Sequence, residues 1–305
     1  MTATGTQHKR IDHWTNKGEA VRLALYQKDG SAGGNKGTIL FVHGSSMAAT
    51  PTFDLQVPGR PHSSAMDYFA DQGYDTWCVD MEGYGRSTKD DVNFCNISNG
   101  SDDLEAASQY IMETTGCKKM NLYGISSGAL RAALFAQRNP DRVNRLALDA
   151  HVWTGEGSPT LDQRRKKLPE FSKITRRPVD HAFINSVFTR DHAGCADQNV
   201  IDAFADAVCE LDDSMPNGTY IDMTSRLPLV DPEKITNPTI IMRGQWDGIA
   251  SVEDLLEFFK RLPNPDKQFT VMPGISHASF QQKNYMLVYH ILGSFYAQPE
   301  PIYRG

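Results

Sequence analysis

Short apolar runs alternating with helix-like segments predict an α/β fold, with a mostly parallel sheet covered by helices on both faces. Three observations carry this. The runs at residues 38–42, 75–80, 119–123, 143–148 and 239–242 are short and rich in apolar residues, as strands buried on both faces are. Helical periodicity recurs between them. Most of the runs end in a loop of glycines and polar residues, the edge at which open parallel sheets bind ligands.

Taken in order, Val21-Arg22-Leu23-Ala24-Leu25-Tyr26 alternates apolar and polar residues, the period of a half-exposed strand. Residues 30–37 are a glycine-rich link. The strand at 38–42 ends at His43-Gly44, and that at 75–80 leads into Gly83-Tyr84-Gly85-Arg86-Ser87. Leu104, Ala107, Ser108, Ile111 and Met112 share one helical face, and Ser101 with Asp102 and Asp103 fits its N-terminal cap. The strand at 119–123 precedes a turn and a helix running to Asn139-Pro140, followed by the strand at 143–148. The alternation then breaks from His151 to Pro232, a polar and mainly helical stretch without a clear central strand. It resumes with the strand at 239–242 and a helix at 251–262 that turns Val252, Leu255, Leu256, Phe259 and Leu262 inward. A strand at 268–272 and a helix at 279–296 complete it. This divides the chain into a core, residues 1–150 and 233–305, and an inserted helical cap, residues 151–232, over the carboxyl edge of the sheet.

The bulk numbers exclude several functions. The chain has 305 residues, 40% hydrophobic and 22% charged, with a net charge of -6. That balance argues against a nucleic-acid partner, which requires a basic face. Met1 to Arg10 has no apolar segment of a secretory signal, and no run is long enough to span a membrane. Cys78, Cys95, Cys117, Cys195 and Cys209 are odd in number and form no C-x-x-C pair, which points to reduced thiols in a cytoplasmic protein. The oligomeric state is left open, a homo-oligomer included.

The chemistry centres on Gly124-Ile125-Ser126-Ser127-Gly128, a G-x-S-x-G turn between a strand and a helix. Such a turn exposes a serine hydroxyl beside the free N–H groups of a helix start. The spacing from both glycines selects Ser126 over Ser127 as nucleophile. A serine needs a base, and the base an orienting acid. His277, after the strand at 268–272, is the candidate base, and Asp247, after the strand at 239–242, the candidate acid. Asp149 follows the neighbouring strand and is the second choice of acid. The backbone N–H groups of Ser45 and Ser127 are expected to form an oxyanion hole, with Ser46 the near alternative to Ser45.

With these residues in place, the chain resembles the α/β-hydrolase superfamily over residues 20–150 and 235–297. The resemblance rests on His43-Gly44, on Asp80-Met81-Glu82-Gly83-Tyr84-Gly85-Arg86-Ser87 (similar to the D-x-x-G-x-G-x-S loop of that superfamily), on the G-x-S-x-G turn, and on the ordered acid and histidine. It implies an eight-stranded sheet and a ping-pong acyl-serine mechanism, and makes His43 a structural loop residue. The chain departs from many members in having Ile249-Ala250-Ser251 where they carry a proline soon after the acid. Relatives with aspartate at the elbow, the haloalkane dehalogenases and epoxide hydrolases, are set aside by Ser126. The expected function is hydrolysis of a small-molecule carboxylic ester without a cofactor. Alternatives are a lactone or carbon–carbon bond hydrolase of a degradative pathway and, from another class, a non-catalytic ligand receptor.

Other residues have plainer readings. Arg86 and Ser87 hold their loop. His13, His62, His181, His192 and His290 lack metal-ligand spacing, so no metal site is expected. Residues 164–177 hold Arg164, Arg165, Lys166, Lys167, Lys173, Arg176 and Arg177 against Glu170 alone, whereas residues 191–213 carry seven acids and no lysine or arginine. Two solvated cap faces that pair with each other account for this. A sharper reading has one or two of the arginines facing the pocket to bind a substrate carboxylate. Ser46, His151 and Trp153 are expected at the substrate pocket. Phe183 and Phe188 fit the pocket or the core of the cap equally.

Overall fold

A computed structural model of the chain describes residues 6–303. The first five residues of the polar Met1–Arg10 stretch lie outside the described residues. Among the described residues ten strands are present: β1 Ile11–Lys17, β2 Val21–Asp29, β3 Thr38–Val42, β4 Asp75–Val79, β5 Met120–Ile125, β6 Val143–Asp149, β7 Arg176–Pro178, β8 Ser214–Pro216, β9 Thr239–Gly244 and β10 Lys267–Met272. Eight form one sheet in the order β1-β2-β4-β3-β5-β6-β9-β10. The β1–β2 and β2–β4 pairs are antiparallel and the others parallel. Strands β3, β4 and β5 are buried at every position, because helices cover both faces and leave no wet side. This is the eight-stranded α/β-hydrolase sheet.

The sequence reading does not place β1. Its residues Ile11-Asp12-His13-Trp14-Thr15-Asn16-Lys17 alternate poorly and are exposed or half-buried, as befits an edge strand held by one neighbour. The long helix Ile97–Thr115 starts earlier than expected. Asn96 caps it through the Asn99 N–H, with the Asn99 side chain returning the bond, a reciprocal capping arrangement. Asp222 also accepts from the Ile97 N–H at 2.9 Å. Ser101 is therefore not a cap; it lies inside the helix, buried. In the helix Val252–Arg261, Phe258 rather than Leu256 faces the core, and Leu256 is exposed.

Between β6 and β9 the chain forms the helices Pro159–Arg165, Leu168–Phe171, His181–Thr189, Gln198–Leu211 and Gly218–Ser225. A two-stranded antiparallel ribbon, β7–β8, accompanies them and takes no part in the large sheet. This segment is pinned to the carboxyl-edge loops of the core. Asp212 accepts from the Gly85 N–H and pairs with Lys89, Arg176 donates to the Gly83 carbonyl, and Gly218 N–H donates to the Phe94 carbonyl. Among the described residues no ion pair joins the basic run to the acidic run. The acids pair with other groups: Asp191 with Arg190, Asp206 with His181, Asp212 with Lys89, and Asp197 with Lys283.

The glycines of the nucleophile turn are required by close approach. A Cβ on Gly128 would meet the Val42 and His43 carbonyl oxygens at 2.3 and 2.5 Å, and one on Gly124 the Gly128 oxygen at 2.4 Å. These neighbours are backbone and cannot rotate away. Gly128→Ala is expected to cost about 3 kcal/mol. By contrast, Gly33→Ala, with nothing within 4 Å, should change stability by less than about 0.5 kcal/mol. Urea-unfolding midpoints of the two variants check the contrast.

Candidate active site

Strand β5 delivers Ser126 at its carboxyl end, and the helix Ser127–Arg138 begins at the next residue. Ser126 has φ 59° and ψ −126°, a region costly for a residue with a Cβ. The strain is held in place by backbone bonds. The Ser126 N–H donates to the Asp149 carbonyl and the Ala129 N–H to the Ser126 carbonyl, each at 2.9 Å. Glycine bears no such penalty, so Ser126→Gly is expected to be more stable than Ser126→Ala by about 1 kcal/mol. Thermal melts of the two variants test this.

His277 lies in the loop after β10. Its Nε2 is 3.0 Å from Ser126 Oγ and its Nδ1 2.9 Å from Asp247 Oδ1. All three residues are buried. Burial would raise the Asp247 carboxyl, but His277 and the Ile249 N–H hold it below the usual range. The acid is therefore ionised beside the imidazole, which orients it. The two loops are locked together: a Cβ on Gly244 would lie 2.3 Å from the Ser276 oxygen, and the Trp246 N–H donates to Ile275.

Two arginines that sequence reasoning assigned no role fix these loops. Arg243 donates to the Gly244, Gln245, Asp247 and Ala250 carbonyls around the acid. Arg60 donates to Phe280, Gln281 and Gln282 just past the histidine. Phe280 stacks on Tyr123 at 4.8 Å, a contact of about 0.5–1.5 kcal/mol beyond area burial. No local motif marks either arginine: Arg243 curls onto carbonyls of its own loop, and Arg60 acts on carbonyls that only the fold brings near.

Asp149, the second choice of acid, does not reach His277. Its carboxyl accepts from Tyr123 Oη at 2.5 Å, and burial drives it up to about 7 against that hydrogen bond. Asp191, from the covering segment, is instead the additional acid nearby. Its oxygen lies within 4.8 Å of ligand atoms of Asp247 and His277, but both ring nitrogens of His277 are already engaged.

The loop after β3 abuts the nucleophile: a Cβ on Gly44 would be 3.4 Å from the Ser126 Cβ. The Ser45 carbonyl accepts from Arg177 and Tyr84, and among the described residues no acceptor takes the Ser45 or Ser127 N–H. Two unpaired donors beside a serine hydroxyl suit an oxyanion. His43 is fully buried and structural in its contacts. It sits against Tyr84, accepts from the Met81 N–H, and is kept neutral by burial and by Arg131, its basicity lowered to about 3. Ser87 bonds to the Asp80 carbonyl and to the Ala24 N–H, and Arg86 pairs with Asp12.

The cavity beside Ser126 is lined by Ser45, Ser46, Arg164, Arg190, Phe204 and Gln281, among others. It holds about 20 Å³ for a water-sized sphere, room for about one water. His151 and Trp153 do not line it, which corrects their placement at the pocket. Both turn into the core: the His151 ring packs on Phe258 at 4.8 Å, and Trp153 Nε1 donates to the Val230 carbonyl while its ring meets Phe258. Phe188 packs on Phe204 within the covering segment. All five cysteines are free. No helix of the described residues is long and apolar enough to cross a membrane.

A buried serine–histidine–aspartate line at the carboxyl edge of an eight-stranded, mostly parallel sheet defines an α/β hydrolase. Residues 34–284 match the serine aminopeptidase S33 family of such hydrolases, and the chain belongs to that family. It is 31% identical over 195 residues to a 2-hydroxy-6-oxononadienedioate/2-hydroxy-6-oxononatrienedioate hydrolase of Paraburkholderia phymatum, a match covering 56% of this chain and 63% of that enzyme. It is 23% identical over 265 residues to a proline iminopeptidase of Xylella fastidiosa, covering 74% of this chain and 82% of the relative. An esterase from Thermogutta terrifontis superposes with a TM-score of 0.67 at 19% identity, covering 95% of this chain and all of that one (100%); at that identity the likeness is one of fold.

Proposed function

We propose that this hydrolase cleaves a carboxylic ester of a small to medium molecule through an acyl-serine intermediate. The observation that carries the reading is the line of hydrogen bonds from Ser126 Oγ through His277 to Asp247, beside a cavity with two unpaired N–H groups. Ser126 Oγ attacks the carbonyl carbon as His277 Nε2 takes its proton. The Ser45 and Ser127 N–H groups hold the resulting oxyanion. His277 then protonates the departing alcohol, and a water activated by the same nitrogen frees the acid. Asp247 keeps the other proton on Nδ1 and stabilises the imidazolium. Residues 151–232 act as a cap. The cavity beneath it, with room for about one water, is smaller than an acyl chain.

The name of the family denotes removal of an N-terminal residue, which calls for a pocket that binds an ammonium group. The cavity here is lined by Arg164 and Arg190 and by no carboxylate, so its charge disfavours that substrate. A second reading, hydrolysis of a lactone or of a carbon–carbon bond in a degradative pathway, draws support from the Paraburkholderia relative, whose named substrates are dicarboxylates. The same triad serves both. A panel of p-nitrophenyl esters of rising chain length, run beside a lactone and a vinylogous diketone acid, decides between them. Highest kcat/KM on an ester is expected; turnover of the diketone acid with no ester cleaved would replace the first reading by the second.

A further inference from the structure

The cap side of the cavity carries more positive charge than the protein neutralises. Arg164 and Arg190 both line it. The Arg164 guanidinium lies over the Tyr220 ring at 4.2 Å, and its Nη1 is buried without a hydrogen-bond partner. Arg190 uses Nε on Asp191 at 3.3 Å, and among the described residues its two terminal nitrogens take no protein acceptor. Arg177 stacks on the same tyrosine at 3.7 Å. It is committed to structure, however, through the Pro216 and Ser45 carbonyls, Asn217 and Ser46. Two guanidiniums thus lie over one tyrosine ring and a third lines the same cavity, and among the described residues Asp191 is the one carboxylate paired with any of the three.

The local acid–base chemistry registers the imbalance. Burial draws Arg164 down to about 10, with Arg190 and Arg177 adding to the effect and Tyr220 opposing it. Burial would raise the Tyr220 hydroxyl, yet Arg164 and Arg177 overcome this and bring it down to about 7. A buried cation without a partner is costly. A protein that keeps one beside a nucleophile gains when a ligand anion completes it, and a guanidinium matches a carboxylate in shape and charge.

We propose that Arg164 and Arg190 form a carboxylate-binding subsite on the cap side of the cavity, and that the substrate is an ester bearing a free carboxylate, such as the half-ester of a dicarboxylic acid. This rests on the ester-hydrolase reading above. The carboxylate enters on either the acyl or the alcohol half of the ester, and the two halves are separable by experiment. The subsite discriminates by leaving the Arg164 guanidinium without an anionic partner when a neutral ester binds, which penalises that ester relative to the anionic one.

The test compares kcat/KM for isosteric pairs on the wild type, Arg164→Gln and Arg190→Gln. One pair, p-nitrophenyl hemiglutarate and p-nitrophenyl glutaramate, carries the charge on the acyl side. The other, para-carboxyphenyl acetate and para-carbamoylphenyl acetate, carries it on the alcohol side. The wild type is expected to prefer the anionic member of one pair by about 10-fold or more, and each substitution to reduce that preference by about 10-fold. Glutarate should inhibit hydrolysis of the neutral ester competitively, with a weaker Ki in both variants. A wild-type ratio of one or below in both pairs, or a ratio unchanged in both variants, overturns the subsite. If neutral esters are still cleaved and Ser126 still reacts with a fluorophosphonate, the subsite alone falls. If neither occurs, the ester-hydrolase reading falls and the subsite with it.

Discussion

Ser126→Ala is expected to lower kcat on the best p-nitrophenyl ester by about 10,000-fold or more while leaving the fold intact. The alanine keeps the Cβ and the turn, so its Tm should stay near that of the wild type. Only the attacking oxygen is lost. The adjacent Ser127 hydroxyl offers no substitute: it belongs to the first residue of the helix, is fully buried and has no hydrogen-bond partner. Steady-state kinetics with an active-site titration of the wild type check the size of the loss. A decrease of less than about 100-fold would mean that another group starts the reaction, since a lone nucleophile cannot be removed so cheaply.

Asp247→Asn is expected to cost about 1,000- to 10,000-fold in kcat with little change in KM. The carboxylate oxygen 2.9 Å from His277 Nδ1 fixes the proton on that nitrogen and leaves Nε2 free to accept from Ser126. An amide nitrogen in its place would donate to Nδ1 and favour the opposite tautomer. Asp149 cannot take over, because its carboxyl is engaged by Tyr123 behind the nucleophile turn. Asp149→Asn should consequently act through stability rather than as a substitute acid. A kcat loss at Asp149 as large as that at Asp247, at equal Tm, would contradict this assignment.

The triad is readable in the sequence because each member sits in a short local pattern at the end of an apolar run. Ser126 lies between two glycines that backbone neighbours forbid from carrying a Cβ. Asp247 and His277 each follow a strand within a few residues. Features that depend on contacts distant in sequence are not readable. Strand β1 has no apolar run because it is an edge, and its pairing with β2 defines it. The cap at Asn96 lies outside the apolar periodicity that marks the same helix, so the periodicity points too late, at Ser101. The basic run at 164–177 announces charge, but only packing shows that Arg164 lines the cavity, Arg177 braces the Ser45 loop, and Arg165 pairs with Asp162. His151 and Trp153 follow β6, and their position suggested the pocket. The buried face of the helix Val252–Arg261, through Phe258, draws both rings inward.

A working triad makes Ser126 a reactive nucleophile. Intact-protein and peptide mass spectrometry after treatment with a fluorophosphonate tests it most directly, on the wild type, Ser126→Ala and Asp247→Asn. One phosphonyl adduct per wild-type chain is expected, located on Ser126, with none on Ser126→Ala and much slower labelling of Asp247→Asn. No adduct on the folded wild type, or an adduct that persists in Ser126→Ala, would contradict it.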